Sequence, residues 1–208
     1  KAPMFFSSRN SNSSPSVAPT AGALYISSLN TRLVRNALVG TGLKHRVRVG
    51  ASGKIHSAAG MADAFGLGAD WCNSARGFMF ALGCIQAQTC HTGHCPTGVT
   101  TQDAKRQIAL VVPDKAQRVR NFHRNTLESL KELLEAAGLH SPQELSLRHV
   151  MRRVSNAETR PLSVLYPAVS TGSLRQAHSA DALKDMPLIF QDHWLQATAE
   201  SFQPPVAH

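Results

Sequence analysis

Acidic residues are absent from the first 62 positions of this 208-residue chain, where eight lysines and arginines stand before the first acid, Asp63. From Asp63 onward, 14 basic residues face 13 acidic ones. The formal net charge of +9 is therefore an N-terminal excess and not a property of the whole chain. A basic stripe interleaved with aromatics, of the kind that grips nucleic acid, is missing as well. The charge reads as a solvated basic leader, with nucleic-acid binding the lesser alternative and not an expected partnership.

Long apolar runs are also missing. The longest, GFMFALGCI (77–85), is about half of the roughly 18 residues that a membrane-spanning helix needs. The N-terminal KAPMFFSSRN lacks the sustained apolar core of a signal peptide. Four cysteines in a chain this long are too few for a secreted disulfide scaffold. A reducing, cytoplasmic compartment is the expectation, and a first residue of Lys1 fits a processed or truncated product.

What is present is enough to fold. Hydrophobic residues make up 42% and charged ones 17%, a balance that supports a buried core. Residues 1–23 are rich in Ser, Asn and Pro and cannot bury enough apolar area to order themselves. Order is expected to begin near Leu29. SLNTRLVRNALVG places Leu29, Leu33, Val34, Ala37 and Leu38 on one helical face, stopped by Gly40 and Gly42. RVRVGASGK reads as a short strand running into a glycine turn, HSAAGMADAFGLG as a helix capped by Ser57, ADWCN as a second strand, and RGFMFALGCI as a further helix. This alternation predicts parallel strands with crossover helices.

The strongest helix lies at 113–138. Val119, Phe122, Thr126, Leu127, Leu130, Leu133 and Leu134 share a face, and Gly138 supplies the stop. SPQE at 141–144 is a capping box with proline at the first helical position, predicting another helix to about Arg152. Beyond Ser155 the chain reads as irregular, with one helix near 190–199.

Three of the four cysteines, Cys84, Cys90 and Cys95, fall within a dozen positions, with His91 and His94 between them and Pro96 directly after. Structural zinc wants four ligands, usually as C-x2-C or C-x4-C pairs. Zinc would need a badly spaced histidine as its fourth ligand. A four-iron cluster wants four cysteines, and the remaining one, Cys72, lies beyond a helix. Three cysteines suit a three-iron cluster with one thiolate per iron. Free, partly buried thiols are the bland alternative.

Two turns precede this loop. ASGK (51–54) offers backbone N–H groups beside a glycine, with Lys54 adding charge, and CNSARG (72–77) repeats the arrangement one strand later. Either alone is an ordinary turn. Together they match the phosphate site of a β/α barrel, which follows its last two strands.

VGASGK, LGADWCNSARGFMFALGCIQAQTCHTGHCPTGVTTQD and VVPDKAQRVRNFHRNTL resemble the FMN-binding domain of glutamate synthase, most nearly the stand-alone bacterial FMN-binding glutamate synthase family proteins. The resemblance is dense over 29–140, thins through 141–175, where RPLSVLYPAVSTGSL still fits, and is poor over 1–28. It implies an α/β fold: the C-terminal portion of a (β/α)8 TIM-type barrel with an iron–sulfur loop and a helical C-terminal extension. Residues 1–28 would be a disordered or degraded leader, 29–112 the partial barrel with its cysteine loop, and 113–208 the extension. Ser52, Gly53 and Lys54 would follow the seventh strand. Asn73, Ala75 and Arg76 would follow the eighth and hold the FMN phosphate. The family's usual Gly-Thr is replaced here by Ala75-Arg76, so a hydroxyl contact is lost and a guanidinium gained. Cys84, Cys90 and Cys95 would bind a [3Fe–4S] cluster, while Cys72 would be structural.

The chemistry implied is reductive amination of 2-oxoglutarate by ammonia to L-glutamate. Electrons would come from ferredoxin or a partner reductase, and ammonia from solution or from glutamine handled elsewhere. A full barrel needs about 250 residues, so the expectation is a truncated member, with another chain as one way to complete it. A non-catalytic iron–sulfur fragment and a zinc-stabilised module are the alternatives. No acid–base role is assigned to His91, His94 or His123, and Trp71, Phe78, Met79 and Phe80 are expected in the core.

Overall fold

Valine, alanine and glycine fully buried in sequence mark a strand covered on both faces, and residues 49–51 are of that kind, with Val49 and Ala51 at 0% exposure. They sit in the central strand of a three-stranded parallel sheet. The computed structural model describes residues 23–26, 28–198 and 200. Its first half runs β1 (Ala23–Ile26), α1 (Ser28–Gly40), β2 (Arg48–Ser52), α2 (Ala58–Gly66), β3 (Trp71–Asn73) and α3 (Arg76–Leu82). The strand order is β1-β2-β3, every pair parallel and every neighbour consecutive in sequence. Among the described residues, neither the outer edge of β1 nor that of β3 has a strand partner.

β1 corrects the expectation that order begins near Leu29. ALYI pairs with β2 over Ala23↔Arg48 to Ile26↔Ala51. Four residues are too few to show a period, and the partner strand lies beyond a whole helix, so nothing local announces it. The rest of the leader, 1–22, lies outside the described residues.

The starts of β2 and β3 are tied by one carboxylate. Asp70 accepts from Lys44 Nζ at 3.0 and 3.1 Å and from the Val49 N–H at 2.6 Å, while its own N–H donates to the Val49 carbonyl at 2.7 Å. Ser57 caps α2 as expected, accepting from the Gly60 N–H.

Beyond α3 come the cysteine loop, α4 (Ala104–Gln107) and α5 (Val112–Ala136). α5 packs on α2 and α3. Its Leu130 and Leu134 join Ala51, Met61, Ala64, Phe65 and Cys72 in the main core. Leu133 does not share that face; it is 44% exposed. Phe78 of α3 meets Phe122 of α5 edge-on, with ring centroids 5.2 Å apart.

The helix predicted over 141–152 is absent. Pro142–Glu144 makes one 3-10 turn, the Ser141 side chain caps nothing, and Leu145 is extended at φ −60, ψ 135. His149 Nδ1 takes the Ser146 N–H at 3.0 Å. The chain then enters β4 (Met151–Arg153), antiparallel to β5 (Thr159–Pro161). Leu147 is drawn instead into a small core with Leu67 and Leu162, so tertiary packing overrides local propensity. The C-terminal extension is therefore not purely helical. It continues through α6 (Leu162–Leu165), α7 (Ala180–Leu183) and α8 (Leu188–His193), the last where one was expected.

A third core forms as this tail returns to the beginning. Val169, Leu174, Leu183 and Phe190 pack with Leu33 and Ala37 of α1, and Leu174 fills the space over Gly40, where any Cβ would collide with it. No described helix is long and apolar enough to cross a membrane.

Candidate functional site

Parallel strands in register deliver their following turns side by side. Ser52 and Asn73 are direct partners at the ends of β2 and β3, so the two turns singled out from sequence leave the sheet as neighbours. Gly53 lies at φ +94 and Lys54 at φ +59. Two successive left-handed residues turn the chain sharply, and the second does so at a steric cost for lysine. Both are exposed. In the second turn, Ala75 precedes α3 with no side chain to cap it, leaving the first amides of that helix to other partners. Ala75 and Arg76 are exposed, and neither Lys54 nor Arg76 forms an ion pair among the described residues. The Trp71 indole lies across Gly50, its partner on β2, where a Cβ would come within 2.6 Å of the ring.

α3 leads directly from this turn to the cysteines. Gly83 ends it at φ +107, and the Cys84 N–H closes on the Met79 carbonyl at 3.0 Å. Cys84 is half-buried, Cys90 exposed on a 3-10 turn, and Cys95 buried. All three line one small pocket, with Thr89, Thr97 and Thr100 around them. Its volume, about 10 Å³, is on the order of one water molecule's space.

The loop's own polar groups fix its course. Thr92 Oγ1 donates to the Thr89 carbonyl at 2.8 Å, and Thr101 Oγ1 donates to the Gly93 carbonyl. Gln107 Nε2 reaches the Thr101 carbonyl at 2.8 Å, and Asp103 caps α4. The Thr89 hydroxyl is buried with no partner, while the Thr100 hydroxyl lies beside Cys95. Buried hydroxyls are normally paired, so the Thr89 hydroxyl is free to donate to whatever the pocket holds.

The thiols differ in acidity. The Thr97 hydroxyl, 3.5 Å from Cys95 Sγ, is the main cause that brings Cys95 down to about 6, against the opposing pull of burial and with further help from Thr100. Cys72, buried in the main core, is pushed up to about 12 by desolvation, the behaviour of a structural thiol. His91 and His94 are exposed and do not line the pocket. Among the described residues, no group of three or more His, Cys, Asp or Glu side chains is placed to hold a metal ion.

Sequence reasoning thus named the cysteines but missed the three threonines. The signal available was Thr97 two residues after Cys95, which is weak without the fold.

A family model described as "Conserved region in glutamate synthase" matches residues 12–140. The glutamate synthase large subunit-like protein YerD of Bacillus subtilis is 46% identical over 112 residues, 54% of this chain and 21% of that protein. The archaeal glutamate synthase [NADPH] of Methanocaldococcus jannaschii is 36% identical over 104 residues, 50% of this chain and 20% of its own length. The glutamate synthase [NADPH] large chain of Azospirillum brasilense is 33% identical over 104 residues, 50% of this chain and 7% of its own. The chain thus spans about a fifth or less of these relatives.

Proposed function

The chain belongs to the glutamate synthase family, and from that premise we propose that it carries the C-terminal arc of an FMN-binding (β/α)8 barrel with a [3Fe–4S] site. Residues 29–112 would form the arc and cysteine loop, and 113–208 the extension packed on them. The strictly consecutive parallel order β1-β2-β3 supports an arc, because each barrel strand pairs with the next in sequence.

One observation carries the reading. Three cysteines meet at one pocket at the end of α3, and the start of α3 borders two neighbouring strand-end turns. Seven helical residues separate the two places, roughly 10 Å at 1.5 Å per residue.

The donor set suits an iron–sulfur cluster in its chemistry, although the three thiols as they stand are not gathered around one ion. Three thiols surround the pocket, one already acidic, which lessens proton competition for the metal. The unpartnered Thr89 hydroxyl belongs to a residue lining the same pocket, as a hydrogen-bond donor to sulfur would. Zinc fits less well. It gathers every sulfur to about 2.3 Å around one ion, whereas a cluster with one thiolate per iron does not. Taking up a group larger than the pocket requires the loop to spread. Residues 85–91, almost all exposed, can move without opening a core.

When bound, the flavin would supply hydride and the cluster single electrons for converting 2-oxoglutarate and ammonia to L-glutamate. This chain's residues would hold and orient. The amides of Ser52–Lys54 and Asn73–Arg76 would bind the FMN phosphate, with the Lys54 and Arg76 charges balancing it. Ferredoxin or a reductase would be the electron donor, and glutamine an ammonia source by way of another domain. Among the described residues both sheet edges lack a strand partner, which supports completion of the barrel by further chain, so the 208-residue chain alone would not turn over.

Anaerobic reconstitution with iron, sulfide and FMN tests this. The expected result is a brown protein with iron and sulfide in the ratio of the cluster formula, lost in Cys84→Ser, Cys90→Ser or Cys95→Ser. Flavin binding should weaken in Arg76→Ala. A cluster without flavin would leave the electron-transfer fragment as the better reading. A colourless chain that takes up zinc instead would end both.

A further inference from the structure

Arg32 and Arg35 lie one turn apart on α1. With Arg148, from the segment after α5, they line a second cavity of about 280 Å³, near the lower bound for small-molecule sites. Its floor is Gly66, Gly68 and Ala69, where α2 ends and β3 is about to begin. The turns proposed for flavin phosphate follow the other ends of the strands, so the two sites sit at opposite ends of the sheet.

The charge in this cavity is unbalanced. Its single carboxylate, Asp70, is already committed to Lys44 and to the Val49 amide. None of the three arginines forms an ion pair among the described residues. Arg32 Nη2 donates to the Pro167 carbonyl at 3.3 Å, but Arg32 Nε is buried with no partner. Burial, then the neighbouring Arg35 charge, lowers the Arg32 pKa. Arg35 is half-buried and laid across Gly68, where any Cβ would collide with its stem. A solvated arginine would extend into water. Here two guanidinium groups are held close together, with Gln143 and Ser146 alongside as further polar groups.

We propose that this cavity binds a compact multivalent oxyanion, either a phosphate group or a dicarboxylate, held by Arg32, Arg35 and Arg148. A guanidinium fork matches either anion through two parallel hydrogen bonds. The anion would relieve the repulsion between Arg32 and Arg35 and bridge α1 to the segment after α5. None of these residues takes part in the flavin or cluster reading, so the two stand or fall separately.

Isothermal titration calorimetry on the full chain tests this, using sodium phosphate, sodium succinate, and sodium chloride at matched ionic strength. Saturable binding of phosphate, of succinate, or of both is expected, with none for chloride. Phosphate alone would identify a phosphate-group ligand, and succinate alone a dicarboxylate. Arg35→Gln and, independently, the exposed Arg148→Gln should each weaken binding about tenfold, the scale of one lost charge-assisted contact. Circular dichroism would confirm that both variants fold. Arg76→Gln, at the other end of the sheet, should remove only phosphate held at the flavin turns and leave the component that Arg35→Gln and Arg148→Gln weaken. The proposal is overturned by no binding above the chloride baseline, by binding that survives both Arg35→Gln and Arg148→Gln, or by binding lost only in Arg76→Gln.

Discussion

Cys95 and Cys72 are two residues of one type that the fold drives in opposite directions. A thiol held down to about 6 contributes stability that is fully present above its unfolded value, about 8.5, and lost as pH falls through 6. A thiol pushed up to about 12 contributes stability that is full below about pH 8.5 and lost as pH rises toward 12. As far as thiols are concerned, the metal-free chain should be most stable near pH 8.5. Thr97→Val removes the main cause at Cys95. In urea unfolding between pH 6 and 9, its midpoint should fall less steeply toward acid than that of the parent. Its thiolate absorbance should also titrate closer to the ordinary range. Parallel slopes would show that the Thr97 hydroxyl does not hold the thiolate. The cysteines could be read from sequence because three in a dozen positions is unusual. Thr89, Thr97 and Thr100 could not, because threonine is common everywhere and its hydroxyl gains meaning only once a loop carries it to sulfur. Arg32 and Arg35 were hidden for the same reason: on a helix they look like any solvated pair.

At the scale of elements, the cysteine loop depends on a few tight backbone passages. Gly98 sits at φ +78, with the Arg106 carbonyl where a Cβ would be. Gly98→Ala should cost roughly 1–2 kcal/mol for the left-handed residue, with the collision in addition. The expected observations are a lower thermal midpoint and faster proteolysis between 85 and 107. Unchanged proteolysis would mean the loop absorbs the side chain by shifting α4. Elements with their own period were legible: α1 and α5 fall where apolar spacing put them, and α2 and α3 fall within the segments read as helices between the strands. β1 was not, being four residues whose only partner is distant. The helix drawn through 141–152 failed for a different reason. Its capping box is real as a pattern, but the burial of Leu147 and the pairing of Met151–Arg153 with Thr159–Pro161 claim the same residues.

The whole molecule is held together by contacts far apart in sequence, and these were the least legible of all. The tail core on α1 joins residues near 35 to residues near 175 and 190. Leu174, at 2% exposure, is its centre. Leu174→Ala should destabilise the chain by about 2–5 kcal/mol, read from the urea midpoint, and should expose both α1 and the tail to protease. If only the tail is cut, α1 does not rely on it. The seating of Leu174 over Gly40 also bears on how the protein is made. Leu174 leaves the ribosome about 130 residues after Gly40, which at about 5–20 residues per second is on the order of ten seconds. Throughout that interval the nascent chain presents a greasy helix with its cover still unsynthesised, a natural moment for a chaperone to bind.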